Sequence, residues 1–195
     1  MKTRAALSLL LLCSVFACAF APPLYWGEDI HGRVVDAENG APIEGAVVLA
    51  DWKLYGGGIG HGGHRNSLFV AEMLTNGNGE FSFGKWGPKL RPLSNALDNA
   101  PWLVVFKSGY EHRFLPNEHD SNWFVRRSDW DGKTIELKRF RGISKERLFQ
   151  LDTVLMVSAF QPRMLGEILK EKDQYYSQDP TFFDHIATMV GQPTR

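Results

Sequence analysis

Two histidines, His61 and His64, stand three residues apart in the stretch GGGIGHGGH, residues 56–64. Two imidazoles at that spacing can share a late first-row metal ion, with His112, His119 or Asp120 as candidate further ligands. The setting opposes this. Six glycines among nine residues leave the backbone with high conformational entropy, so the imidazoles are poorly preorganised. The helical H-E-x-x-H context of a zinc peptidase is also missing. A variable loop is therefore favoured over a metal site, and no cofactor is assigned.

A second group lies in GYEHRFLPNEHDSNW, residues 109–123, with Glu111, His112, Arg113, Glu118, His119 and Asp120. Carboxylates beside imidazoles can exchange protons as general acid and base. Pro116 and Asn117 are turn formers, and a polar loop explains the same composition. Six tryptophans (Trp26, Trp52, Trp86, Trp102, Trp123 and Trp130) suggest a carbohydrate or peptide platform, but most fall near strand ends, where a half-buried indole is ordinary. The chain shows no nucleophile elbow, phosphate loop or dinucleotide fingerprint, and no catalytic residue is assigned.

These groups must be positioned by a β framework. Residues 29–36, 45–55, 67–75, 80–86, 102–110 and 134–140 read as strands, rich in β-branched and aromatic residues and separated by Gly, Asn and Pro. WLVVF at 102–106 is apolar without alternation, as expected at a sheet centre. After Ile143 the period becomes helical. Ser144 is a candidate N-cap for a helix carrying Leu148, Leu151 and Leu155. Pro162 can open a second helix, and Asp179-Pro180 reads as a cap and first helical residue, with Gly191 as terminator. The fold class is mainly β: a seven-stranded antiparallel sandwich over 29–140 with a short helical segment over 143–191.

The N-terminus reads as an export signal. Lys2 and Arg4 precede the apolar run Ala5–Phe16, which is too short to span a bilayer as a stable helix. Cleavage after Ala19 leaves residues 1–19 as a signal peptide, followed by a linker over 20–28. Val15-Phe16-Ala17-Cys18 alternatively resembles a bacterial lipobox, in which case 1–17 is removed and Cys18 is lipidated. The only other cysteine, Cys13, lies inside the apolar run, so no internal disulfide forms. Both readings place the protein in the periplasm or on the cell envelope. Lys+Arg and Asp+Glu balance at 22 each, which gives no electrostatic footprint for nucleic acid. Membrane contact is expected only through a lipid on Cys18, and the partner is an unidentified protein or cell-wall ligand.

The β region carries spaced motifs: Gly32, Val34 and Asp36; Gly40, Pro42, Ile43, Gly45, Ala46 and Val48; Thr75, Gly79 and Phe81; Gly109 and Tyr110. Together these resemble the carboxypeptidase regulatory-like domain, a seven-stranded sandwich of the transthyretin-like type. The resemblance implies a non-catalytic module, with the motif residues serving turns and core. FRGIS at 140–144 is similar only in part to the Tyr-Arg-Gly-Ser terminus of transthyretin-like hydroxyisourate hydrolases. Phe140 stands where that pattern has tyrosine and Ile143 where it has serine, so this enzymatic reading is set aside. The reading as a whole is a non-catalytic envelope module for binding or scaffolding. Metal binding at His61 and His64, and cell-wall carbohydrate binding, are the alternatives.

Overall fold

The computed structural model describes residues 24–55, 67–91, 96–97, 101–117, 125–157 and 160–191. Among them are eleven strands: β1 Leu24–Gly27, β2 Ile30–Asp36, β3 Val47–Tyr55, β4 Ser67–Leu74, β5 Glu80–Phe83, β6 Trp86–Leu90, β7 Ala96–Leu97, β8 Trp102–Phe106, β9 Arg113–Leu115, β10 Val125–Arg126 and β11 Lys133–Leu137. Four helices follow: α1 Ser144–Val157, α2 Pro162–Leu169, α3 Lys172–Tyr175 and α4 Pro180–Met189.

Two sheets form the sandwich. One runs β11-β2-β5 and the other β4-β3-β8-β9, with β7 also paired to β3. Their facing sides alternate as the strand period requires. Ile30, Val34, Phe81, Phe83, Ile135 and Leu137 come from the first sheet, and Val48, Ala50, Trp52, Leu103, Val105 and Leu115 from the second. A third, small sheet, β10-β1-β6, adds Tyr25 to the same core.

The expectation of a mainly β sandwich followed by short helices matches this architecture. Three details differ. Two pairings, β2–β11 and β1–β10, run parallel, so the sheets are mixed rather than purely antiparallel. Leu24–Gly27, read as part of a linker, is a strand, because Tyr25 is buried at 1% exposure and ordered by the core. The 80–86 run divides into β5 and β6, and β6 continues through the exposed Pro88 to Leu90.

The helices form a third layer over the sheet's other face. Val47 and Leu49 of β3 and Val104 and Phe106 of β8 point away from the sandwich core and pack on Leu151, Val154, Met164, Ile168 and Phe183. This is why β8 reads as continuously apolar: both of its faces are covered. Helix α1 begins at Ser144 rather than after it. Glu146 reaches back to accept from the Ile143 N–H at 3.3 Å, as in half of a capping box. Glu72 of β4 caps α2, accepting from the N–H groups of Arg163 at 2.7 Å and Met164 at 3.1 Å. The Asp179 cap of α4 is present as expected, accepting from Phe182 at 3.0 Å with Pro180 in the first turn.

Candidate functional site

Three of the motif residues, Asp36, Gly109 and Tyr110, meet at the turn between β8 and β9. Gly109 supplies a φ of 82°, in the region that favours glycine, and lets Lys107–Tyr110 reverse direction. Tyr110 then donates its hydroxyl hydrogen to the Asp36 carboxylate at 2.9 Å. Arg139 pairs with the same carboxylate at 2.7 Å, and the Glu38 N–H donates to it at 2.8 Å. That N–H, with Tyr110 and Arg139, holds the Asp36 pKa below its ordinary value against the opposing effect of burial. Burial first, and then the bond to Asp36, raises the pKa of Tyr110.

The other side of the turn is held by the helices. Glu171 accepts from the Gly109 N–H at 2.8 Å, and Glu167 from the Ser108 N–H at 3.0 Å. Arg147, fully buried, donates through Nε to Glu171 at 2.6 Å and through Nη1 to the Tyr110 carbonyl at 2.7 Å; Nη2 bonds Glu171 as well. Its guanidinium also lies over Phe140, 4.9 Å from the ring centroid. The result is a continuous set of bonds from Glu171 through Arg147 and Tyr110 to Asp36. Each polar group in it bonds a backbone group or another member, which is the pattern of a structural clamp.

Arg147, Glu167 and Glu171 are not among the residues singled out in the sequence, although their positions carry a signal. Arg147 falls four residues before Leu151, on the stripe that α1 buries. Glu167 and Glu171 follow the buried Met164 by three and seven residues, also on a buried stripe. Charges at such positions mark internal ion pairs.

The other motif residues take turn and core roles. Thr75 accepts from the Ala46 N–H at 2.8 Å and donates to the Ile43 carbonyl at 2.6 Å, joining two loops inside the sandwich. Gly79 has φ 74°, and a Cβ there would lie 2.4 Å from the Val34 carbonyl oxygen. A Cβ on Gly32 would lie 2.5 Å from the Phe81 ring, so these two motif residues are matched in size. Gly40, with φ 69°, turns the chain back so that Val35 bridges Pro42, and Gly45 has φ 67° beside Lys107.

The residues proposed for chemistry are placed as follows. His61, His64, His119, Asp120 and Cys18 lie outside the described residues. His112 is half-buried, and its Nδ1 is buried without a hydrogen bond. Burial, then the nearby Arg147 charge, lowers its pKa, favouring the neutral ring. Among the described residues no group of three His, Cys, Asp or Glu is arranged to hold a metal ion. Trp52 and Trp86 stack against Phe69 within the protein, with their own centroids 5.0 Å apart. Trp130 bonds the Pro116 carbonyl, while Trp26 is 39% exposed.

A groove of about 610 Å³ opens beside the β11-β2-β5 sheet. His31 and Arg33 of β2, Lys133 of β11 and Glu80 of β5 supply charge, and Met73 and Leu74 of β4 supply exposed apolar surface. Arg33 is held by the Asn78 carbonyl at 2.9 Å. The backbone N–H of His31 donates to Asp131 at 2.8 Å. This is a preformed concave surface of mixed polarity, suited to binding.

No family model and no curated protein matches the chain. Among solved structures it is similar to 3-chlorocatechol 1,2-dioxygenase from Rhodococcus opacus 1CP, with 14% identity, TM-score 0.33, and 60% of this chain and 61% of that chain covered. The chain thus spans about three fifths of the dioxygenase's length. It is also similar to the C-terminal domain of shaft pilin SpaA from Lactobacillus rhamnosus GG, at 15% identity, TM-score 0.30, and 61% and 100% coverage. An alternative pilotin from the type II secretion system of Vibrio cholerae aligns at 19% identity, TM-score 0.31, and 59% and 98% coverage.

Proposed function

We propose that this protein is an exported, non-catalytic module of the cell envelope. In this reading the sandwich is of the carboxypeptidase regulatory-like kind, and the groove bounded by Arg33, Met73, Leu74 and Lys133 is its binding surface. One observation carries the reading. The buried charged groups of the motif region are engaged in holding the β8–β9 turn, whereas the groove presents unburied apolar and charged side chains together. Residues 1–19, with their positive start and apolar run, supply the export. A protein or a cell-wall glycan is the expected occupant.

Purified protein incubated with isolated cell-wall material and with peptides, esters and ureides separates the possibilities. The expected result is retention on an envelope component that Arg33→Glu with Leu74→Glu abolishes while the melting temperature is kept. Turnover of any of those substrates at enzymatic rates would refute the non-catalytic assignment.

A further inference from the structure

The small sheet β10-β1-β6 has an inner and an outer side. Along β1 the burial alternates: Tyr25 enters the core, while Leu24 and Trp26 face outward at 41% and 39% exposure. Leu24 stands directly opposite Leu90 in the antiparallel register with β6, and Leu90 is 70% exposed. A Cβ on Gly87 would meet Trp26 Cδ1 at 2.9 Å, so the indole lies close against the bare backbone there, next to the exposed Pro88. Leu24, Trp26, Pro88 and Leu90 thus make an outward apolar face on strands the core has already ordered.

Two further observations say what covers it. The first is charge. Lys85 precedes β6, Arg91 follows it, and the exposed Arg127 follows β10, close enough to Lys85 to repel it. The acidic neighbours Glu28 and Asp29 both pair with Lys85, at 2.9 Å and 3.9 Å. Lys85 is thus neutralised, and Arg91 and Arg127 leave the rim with one net positive charge. The second is position. Leu24 is six residues after Cys18 (24 − 18), a reach of about 20 Å when extended. A lipid on Cys18 would therefore hold this face, before any other described strand, against the leaflet that receives the acyl chain.

We propose that the Leu24–Trp26–Leu90 face is a membrane-docking surface that rests on anionic phospholipid. The aliphatic side chains and the indole enter the headgroup boundary, and Arg91 and Arg127 meet the phosphates. The proposal rests on the alternative export reading, in which residues 1–17 are removed and Cys18 is lipidated, but it concerns a contact separate from that lipid.

The test uses the chain exported and processed by a bacterial host, as wild type and as Cys18→Ala. The mass of the purified N-terminus reports acylation by itself, so failure of the anchor reading is seen independently of the docking face. The unacylated Cys18→Ala protein is then floated with vesicles of phosphatidylglycerol and phosphatidylethanolamine, and with vesicles of phosphatidylcholine. Binding to the anionic vesicles is expected, with weakening in high salt and on phosphatidylcholine. Leu90→Glu should reduce it on the order of tenfold or more, and Leu90→Ile should preserve it. Phe149→Glu, at another exposed apolar residue, should leave it unchanged. Leu90 is exposed enough for the charge to be tolerated, and a melting curve checks this. No binding by Cys18→Ala, equal binding by Leu90→Glu, or a concentration-dependent dimer lost on Leu90→Glu would each overturn the proposal.

Discussion

Arg147 and Glu171 meet inside the protein, twenty-four residues apart in sequence, with Nε and Oε2 separated by 2.6 Å and neither side chain open to solvent. Glu171 uses the same carboxylate to hold the Gly109 N–H. The pair thus joins two helical segments to the turn that carries the Gly-Tyr motif. Removing one partner strands the other charge in a site with no water to solvate it. Arg147→Met or Glu171→Leu should each cost about 3–5 kcal/mol, and the double variant clearly less than the sum. Urea denaturation of the four proteins measures the coupling.

Glycine positions separate strain from crowding. Gly79 and Gly109 both have positive φ, but a Cβ on Gly79 collides with the Val34 carbonyl while one on Gly109 meets open space. Gly109→Ala should cost about 1–2 kcal/mol, from backbone conformation alone. Gly79→Ala should cost more, because the chain must also move. Thr75→Val, which leaves the Ala46 N–H and the Ile43 carbonyl without their partner, should cost about 1–3 kcal/mol. Thermal melts of the three variants give the order.

Acid should weaken the fold in two stages. The folded His112 pKa is depressed, so its neutral ring contributes fully above about pH 6.5, and the contribution declines as pH falls through the lower folded value. The folded Asp36 pKa is also depressed, so its stabilisation is present above about pH 4 and is lost as pH falls through its folded value. His112→Phe should flatten the upper limb of the stability profile and Asp36→Asn the lower one. Denaturation midpoints measured from pH 3 to pH 8 show which limb each substitution removes.

The exposed and buried sides of α1 should respond oppositely to polar substitution. Phe149 and Met156 are more than 70% exposed, whereas Leu151 is fully buried. Phe149→Ser with Met156→Gln should change stability by under about 0.5 kcal/mol per site, while Leu151→Ala costs about 2–5 kcal/mol. Chemical denaturation checks both.

Metal content distinguishes the remaining reading of the glycine-rich loop. For a non-catalytic module, wild type and the His61→Ala/His64→Ala variant should carry the same negligible zinc, nickel and copper by elemental analysis after dialysis. Stoichiometric metal lost only in the variant would restore the metal reading.

Much of the framework was legible because its signals are local. The run 29–36, closed by turn-forming residues, located β2, and Asp179-Pro180 announced α4. Leu24–Gly27 was not legible: four residues after a proline pair show too little alternation, and only Tyr25 reaching the core reveals a strand. The clamp was missed for a different reason. Arg147 and Glu171 are ordinary helix residues taken singly, and only the fold brings them together beside Gly109. His112 was noted for its type, but its neutrality comes from burial and from Arg147, neither of which its sequence neighbours disclose.

The pairing of β1 has a consequence for the order of events during synthesis. Trp26 lies beside Val125 in parallel register, ninety-nine positions later (125 − 26), and the Gly109 turn is held in part by Glu167 and Glu171, later still. The earliest described strand therefore cannot be completed until most of the chain has been made, and β11, which pairs with β2, is made later still. Contacts this distant in sequence slow folding. A chain completed this late would suit the proposed export, in which a polypeptide threads through a narrow channel before it acquires its shape.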